Sequence, residues 1–197
     1  MNRKYIIELD DFGELKYADL LDSLDEYFDD FKITLFTIPD LVDKKFKEFV
    51  AERDYLKLGV HGWNHHWEEC LNWSYEEAVE KLEMSQKLCF RFYRVFRAPR
   101  WQINLETRKA LDDLDFILAD HPSLMGFDLL PRKRYFHNTD LTELPNISNK
   151  FDVIKAHGHI NSTMPNDLSL CLKQLYSLPK DTSFLFFHEL PEFRGEA

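Results

Sequence analysis

Short apolar runs alternate with amphipathic stretches along this chain, and several of the apolar runs end in a polar cluster. Tyr5–Leu9, interrupted by Glu8, predicts a first strand. Ala18–Phe28 then puts Leu20, Leu21, Leu24, Tyr27 and Phe28 at helical spacing. Ile33–Ile38 is a second strand closed by Pro39. Leu41–Arg53 is a helix with Leu41, Phe46, Phe49 and Val50 on one side, and Leu56–Val60 is a third strand. Ser74-Tyr-Glu-Glu77 reads as a capping box opening a helix whose stripe is Ala78, Val79, Leu82 and Cys89. Tyr93–Phe96 is a fourth strand, Leu105–Leu114 a helix with Asn104 as N-cap, and Phe116–Ala119 a fifth strand. Pro122–Ile147 reads as loops over one mouth of the fold. Phe151–Ala156, Leu168–Tyr176 and Ser183–Phe187 close the chain as strand, helix and strand.

This alternation implies an α/β fold with about seven mostly parallel strands. No repeat or linker divides it, so a single domain is expected over residues 1–197. In such folds, sites gather at the C-terminal ends of the strands. Asp10, Asp11, His61, Arg97, His121, His157 and His188 all directly follow apolar runs.

Composition narrows the function. A net charge of −10 argues against wrapping nucleic acid or lying on an anionic membrane. No window approaches the ~20 apolar residues of a membrane span. The N-terminal apolar stretch is too short for a signal peptide, so a cytoplasmic location is expected. Three scattered cysteines, Cys70, Cys89 and Cys171, fit a reduced compartment and no catalytic role. Nothing in the sequence fixes an oligomeric state.

The polar clusters carry the chemistry. His61 and His65 stand at i and i+4. If the chain turns helically from Gly62, both imidazoles fall on one face at metal-ligand spacing. Asp10-Asp11 lies at the end of an earlier strand. One carboxylate and two imidazoles suffice for a catalytic zinc, and a second carboxylate then takes a proton from activated water. The bland alternatives are a turn whose carboxylates accept backbone N–H groups and ordinary surface or core histidines.

Together these segments resemble the polysaccharide deacetylase family, the NodB homology domain, from about Tyr5 to Leu190. Leu9-Asp10-Asp11-Phe12-Gly13 is similar to its first motif, with one residue inserted before the glycine. His61-Gly62-Trp63-Asn64-His65 matches its His-x-x-x-His motif, and Arg97-Ala98-Pro99 its Arg-x-Pro motif. The resemblance implies a distorted (β/α) barrel and removal of an N-acetyl, or O-acetyl, group from a sugar or glycan.

It assigns Asp10 as general base, Asp11, His61 and His65 as ligands of one divalent metal, and Arg97 as the group orienting the base. Zinc is expected, and the donors also suit cobalt, nickel or iron. The last motif, a strand ending in an acid histidine, selects His157, with His159 and His188 as rivals. Pro99, Arg100, Trp101 and His159 are expected to contact substrate. The family's fourth motif, an acidic segment tuning the acid, has no clear match; Asp128 and Asp140 are its candidates. Two further readings compete: hydrolysis of another carbon–nitrogen bond, as in a cyclic amide or formamide, and a glycan-binding module without turnover. Trp63, Trp67 and Trp73 are read as sugar platforms or core, and Arg132-Lys133-Arg134 as a solvated loop, with binding of a phosphate or acidic sugar as its rival reading.

Overall fold

The computed structural model describes residues 3–146, 151–160 and 167–193. In chain order the elements are β1 (Lys4–Phe12), α1 (Ala18–Tyr27), β2 (Ile33–Thr37), α2 (Lys44–Ala51) and β3 (Leu56–His61). Then come α3 (Glu69–Asn72), α4 (Tyr75–Leu88), β4 (Phe92–Arg97), α5 (Leu105–Asp113) and β5 (Ile117–Ala119). The chain ends with β6 (Arg134–Tyr135), β7 (Thr139–Asp140), β8 (Val153–His159), α6 (Asp167–Leu175) and β9 (Ser183–Phe184).

One sheet runs β6-β5-β4-β3-β2-β1-β8-β7, and every described pairing in it is parallel; β9 pairs with the start of β1. Its two edges, β6 and β7, are joined by residues 136–138 alone. That link spans at most about 14 Å between Tyr135 and Thr139. The sheet must therefore curl until its edges nearly meet, which makes an open barrel.

Side-chain alternation along β1 sorts its buried residues into two cores. Ile7, Leu9 and Phe12 face the helices, among Leu21, Leu24, Phe46 and Val50. Ile6 faces the barrel interior, with Phe36, Val95, Ile117 and Tyr135, and Phe187 and Leu190 plug that interior. Glu8 and Asp10 share the parity of Ile6 and are buried as well.

Caps set the helix starts. Asp43 accepts a hydrogen bond from the Phe46 N–H at 2.8 Å, so α2 begins at Lys44 and leaves Leu41 exposed in a preceding turn rather than on the helix stripe. Ser74 and Asn104 cap α4 and α5 as expected.

Two expectations change. The segment 122–147, read as loops, contains β6 and β7, too short at two residues each to show any periodicity; residue 147 itself lies outside the described residues. The last strand stops at Phe184. After it the Glu189 carboxylate accepts the Phe186 N–H at 2.7 Å and turns the chain, so Phe187 enters the barrel. No helix among the described residues is long and apolar enough to cross a membrane.

Candidate active site

Asp10 and Asp11 converge on one pocket although strand alternation should part them. Asp11 has φ 65°, and the β1–β2 register shifts between Leu9 and Phe12. This irregularity swings the Asp11 carboxylate toward the end of β3. Its Oδ1 lies 3.3 Å from His61 Nε2 and 3.1 Å from His65 Nε2. Two ligands about 2.0–2.1 Å from a tetrahedral zinc stand about 3.3 Å apart, so the three donors have the spacing of ligands around one cation. His61 Nδ1 donates to the Arg97 carbonyl at 3.0 Å, which leaves its Nε2 lone pair facing the other two donors.

The helical turn expected after Gly62 does not form. His61 ends β3, and residues 62–68 make an irregular turn with left-handed Gly62 (φ 64°), His65 (φ 60°) and Glu68 (φ 59°). The buried Glu69 carboxylate organises this turn, accepting backbone N–H groups of Trp63, Asn64 and His65 at 3.0–3.2 Å. A Cβ on Gly62 would stand 1.8 Å from Glu69 Oε1, so a glycine is required there on both counts. The imidazoles still meet, with ring centroids 5.0 Å apart. Sequence reasoning missed Glu69, because its role depends on a loop shape that no periodicity announces.

Asp10 is held from two sides. Arg97 Nη1 donates to its Oδ1 at 2.6 Å, and His157 Nε2 donates to its Oδ2 at 3.1 Å. Burial alone would raise its pKa, but Arg97 and His157 outweigh burial and hold the carboxyl well below its usual range. Arg97 also donates through Nη2 to Glu8, which is wholly buried. The interruption of the first apolar run by Glu8 thus marks a buried partner of Arg97.

β7 pairs with β8 so that Asp140 sits opposite His157, with Asp140 Oδ1 3.8 Å from His157 Nδ1. Of the two aspartates expected near His157, Asp140 thus faces it, while Asp128 is exposed on a loop. Burial opposes a charge on His157, but Asp10 and Asp140 outweigh it and push its pKa up to about 9. His137 stacks on His157 at 4.9 Å; burial first, then the His157 and Arg97 charges, push it down to about 3. His159 meets His157 edge-on at 4.8 Å.

Among the described residues two more triplets have mutually close donor atoms, Asp10–His157–His159 and His137–Asp140–His157. Both use His157, whose Nε2 is already bonded to Asp10. Asp11–His61–His65 is the triplet whose donors face one another with no such competing cation.

The remaining expected contacts divide. Trp101 lies half-buried with its ring 5.5 Å from those of His121, His137 and His157. Pro99 is buried beside Gly62. Arg100 is exposed, with its guanidinium 3.4 Å over the exposed Trp67 ring. Trp73 is core and Trp63 packs against it.

His188 is not brought to this cluster; it stacks between Tyr93 and Phe186. The Arg132–Arg134 run is solvated at its start, with the Arg132 side chain 83% exposed, but not along its whole length. Arg134 is buried on Asp120 at 2.9 Å, Arg132 pairs with Asp112 and Lys133 with Asp115. All three cysteines are buried, and none forms a disulfide among the described residues.

The sequence model of the family described as polysaccharide deacetylase matches residues 2–118. A search of curated proteins finds no match. Among solved structures, the Xyl-CE4 domain of a multidomain xylanase from the hindgut metagenome of Trinervitermes trinervoides is similar with TM-score 0.65 at 17% identity, covering 99% of this chain and 92% of that one. The chitin deacetylase of the fungus Colletotrichum lindemuthianum has TM-score 0.62 at 15% identity, over 98% of this chain and 90% of its own. A CE4 family pseudoenzyme from Bacillus anthracis has TM-score 0.61 at 14% identity, over 96% of this chain and 65% of its own. At these identities the likeness is one of fold.

Proposed function

This chain belongs to the polysaccharide deacetylase family, and from that premise we propose that it hydrolyses the N-acetyl group of a sugar within a glycan. The observation that carries this reading is the double hold on Asp10, by Arg97 and His157, beside the Asp11–His61–His65 donor set. A binding module needs neither an oriented base nor a histidine kept protonated.

Asp11, His61 and His65 would hold one divalent cation, zinc by preference, with cobalt, nickel or iron suited to the same donors. When bound, such a cation supplies Lewis acidity at the acetyl carbonyl and eases deprotonation of water at neutral pH. Asp10 takes the proton of the attacking water. Arg97 keeps the Asp10 carboxylate turned toward the donor set and spreads its charge.

His157 acts as the acid. An amine leaves poorly unless its nitrogen is protonated, and a group with pKa about 9 is charged at neutral pH yet still able to give up its proton. Its Nε2 lies 3.1 Å from Asp10 Oδ2, so the acid and the base stand side by side. Asp140 stabilises the imidazolium from the other side. Trp101 forms a wall of the groove beside His157, and Trp67 with Arg100 offers an exposed platform for a further sugar ring. Pro99 shapes the wall beneath it, and His159 flanks the leaving group.

Acetate release from N-acetylglucosamine oligomers tests the reading. Asp10→Asn should abolish release while the bound metal, measured by elemental analysis, stays at one per chain. Turnover surviving in Asp10→Asn would overturn the mechanism. The absence of metal from the wild type after zinc is added back would overturn the donor assignment. Release from a cyclic amide or formamide instead of the sugar would move the substrate class.

A further inference from the structure

We infer that Glu8 is a positioning residue that clamps Arg97 from inside the barrel, so that one guanidinium nitrogen is fixed on Asp10. This rests on the deacetylase reading for its consequence in catalysis, though not for the clamp itself. Glu8 and Asp10 are two apart on β1 and so face the same side, with their carboxylates one above the other in the interior. Arg97, at the end of β4, reaches between them: Nη1 to Asp10 Oδ1 and Nη2 to Glu8 Oε2.

All three groups are almost completely removed from water, at 0% exposure for Glu8, 1% for Arg97 and 3% for Asp10. A carboxylate is costly at such depth unless a cation pairs with it. The Phe36 and Trp101 rings lie 4.1 and 4.8 Å from Arg97 Cζ. The rings control tilt, but they leave rotation within the guanidinium plane unrestrained. One acceptor leaves that rotation loose, whereas two acceptors on different nitrogens remove it. Arg97 Nε and Glu8 Oε1 have no hydrogen-bond partner among the described residues, so the two Nη contacts are what fix the group. Tyr135 backs Glu8 from the sheet edge. Burial first and Glu8 second push its hydroxyl well up, so no second anion is placed behind Glu8.

Three variants of the full chain, loaded with zinc, separate positioning from simple stabilisation: Glu8→Gln, Glu8→Ala and Arg97→Lys. Gln keeps an oxygen for Arg97 Nη2, whereas Ala does not. In wild-type protein labelled with ¹⁵N, the Arg97 Nη hydrogens should give resolved, slowly exchanging signals. Glu8→Gln should keep them, and Glu8→Ala should lose them. On the acetylated oligomer, Glu8→Ala should lower kcat at least about tenfold with KM and zinc content unchanged. Glu8→Gln should recover most of that loss, and Arg97→Lys should fall with Glu8→Ala.

The clamp is overturned if Glu8→Ala keeps the wild-type Nη signals and kcat, or if Gln is no better than Ala. If Glu8→Ala does not fold, Glu8→Gln decides with Arg97→Lys as the reference for kcat: wild-type Nη signals and kcat in Glu8→Gln beside a fallen kcat in Arg97→Lys support the clamp, and loss of the Nη signals and kcat in Glu8→Gln overturns it. If the wild type deacetylates no sugar, the deacetylase reading fails, and the Nη signals still decide for or against the clamp.

Discussion

Replacing Glu69 by alanine should cost metal affinity although Glu69 is no metal ligand. Its carboxylate accepts the backbone N–H groups of Trp63, Asn64 and His65. A charge-assisted bond is worth up to about 1.5–3 kcal/mol, but this turn is partly exposed and water can replace part of each, so roughly 1 kcal/mol per donor is reasonable. Three donors give about 3 kcal/mol. The same contacts hold His65 in left-handed backbone, which costs roughly 1–2 kcal/mol for a non-glycine residue and will relax once the carboxylate is gone. Relaxation moves His65 away from Asp11. Part of the loss falls on the stability of the metal-free protein, so the affinity for zinc should fall about 10- to 100-fold, as for other groups that orient ligands. Glu69→Gln should lie between, because the amide offers one acceptor oxygen and turns an NH₂ toward the donors. Competition with a chromophoric chelator measures the affinity, and far-ultraviolet circular dichroism checks the fold. Zinc binding within about threefold of wild type in a folded Glu69→Ala would refute this account of the turn.

Three other outcomes follow from the same geometry. Gly62→Ala should lose most zinc and unfold more easily, since its φ of 64° and the 1.8 Å approach of Glu69 Oε1 leave no room for a methyl; zinc content and a urea midpoint measure both. The pH–rate profile should fall on its basic side near pH 9, where His157 loses its proton, and Asp140→Asn should move that limb to lower pH. Because the folded pKa of His157 is raised above 6.5, its contribution to stability is complete below 6.5 and vanishes as pH rises through about 9. Urea unfolding in wild type and His157→Gln should therefore differ at low pH and converge at high pH. Asp120→Ala should destabilise by about 3–5 kcal/mol, because it strands the buried Arg108 and Arg134 that tie the segment after β5 to the sheet; thermal unfolding is the check.

Much of the architecture was written in local pattern. The β2, β3 and α5 boundaries follow from apolar runs, and Asn104 and Ser74 act as the caps their side chains suggest. What failed to show was local structure without periodicity. β6 and β7 are two residues each, yet they bring Asp140 to His157 and reduce the barrel gap to one short link. Covering of the Arg134 side chain in the basic run has no local signal, because its acidic partner Asp120 stands 14 residues earlier in the chain. The His61–His65 spacing suggested a helix, and the two rings meet by another route, a left-handed turn tied to Glu69.

The sequence by itself determined the order of strands and helices and the kinds of side chain that end each strand. Both depend on short-range rules: alternation of two along a strand, 3.6 along a helix, and capping within a turn. Only the tertiary structure decided which atoms meet. The meeting of Asp10 with Arg97 and His157, and of Asp11 with His61 and His65, joins residues on four strands. It depends on sheet register, on the curl that closes the barrel and on one residue, Asp11, leaving the extended region. These are set by packing over the whole molecule, and Glu8 shows the consequence: in the sequence it only interrupts an apolar run, and in the barrel it is the buried partner of Arg97.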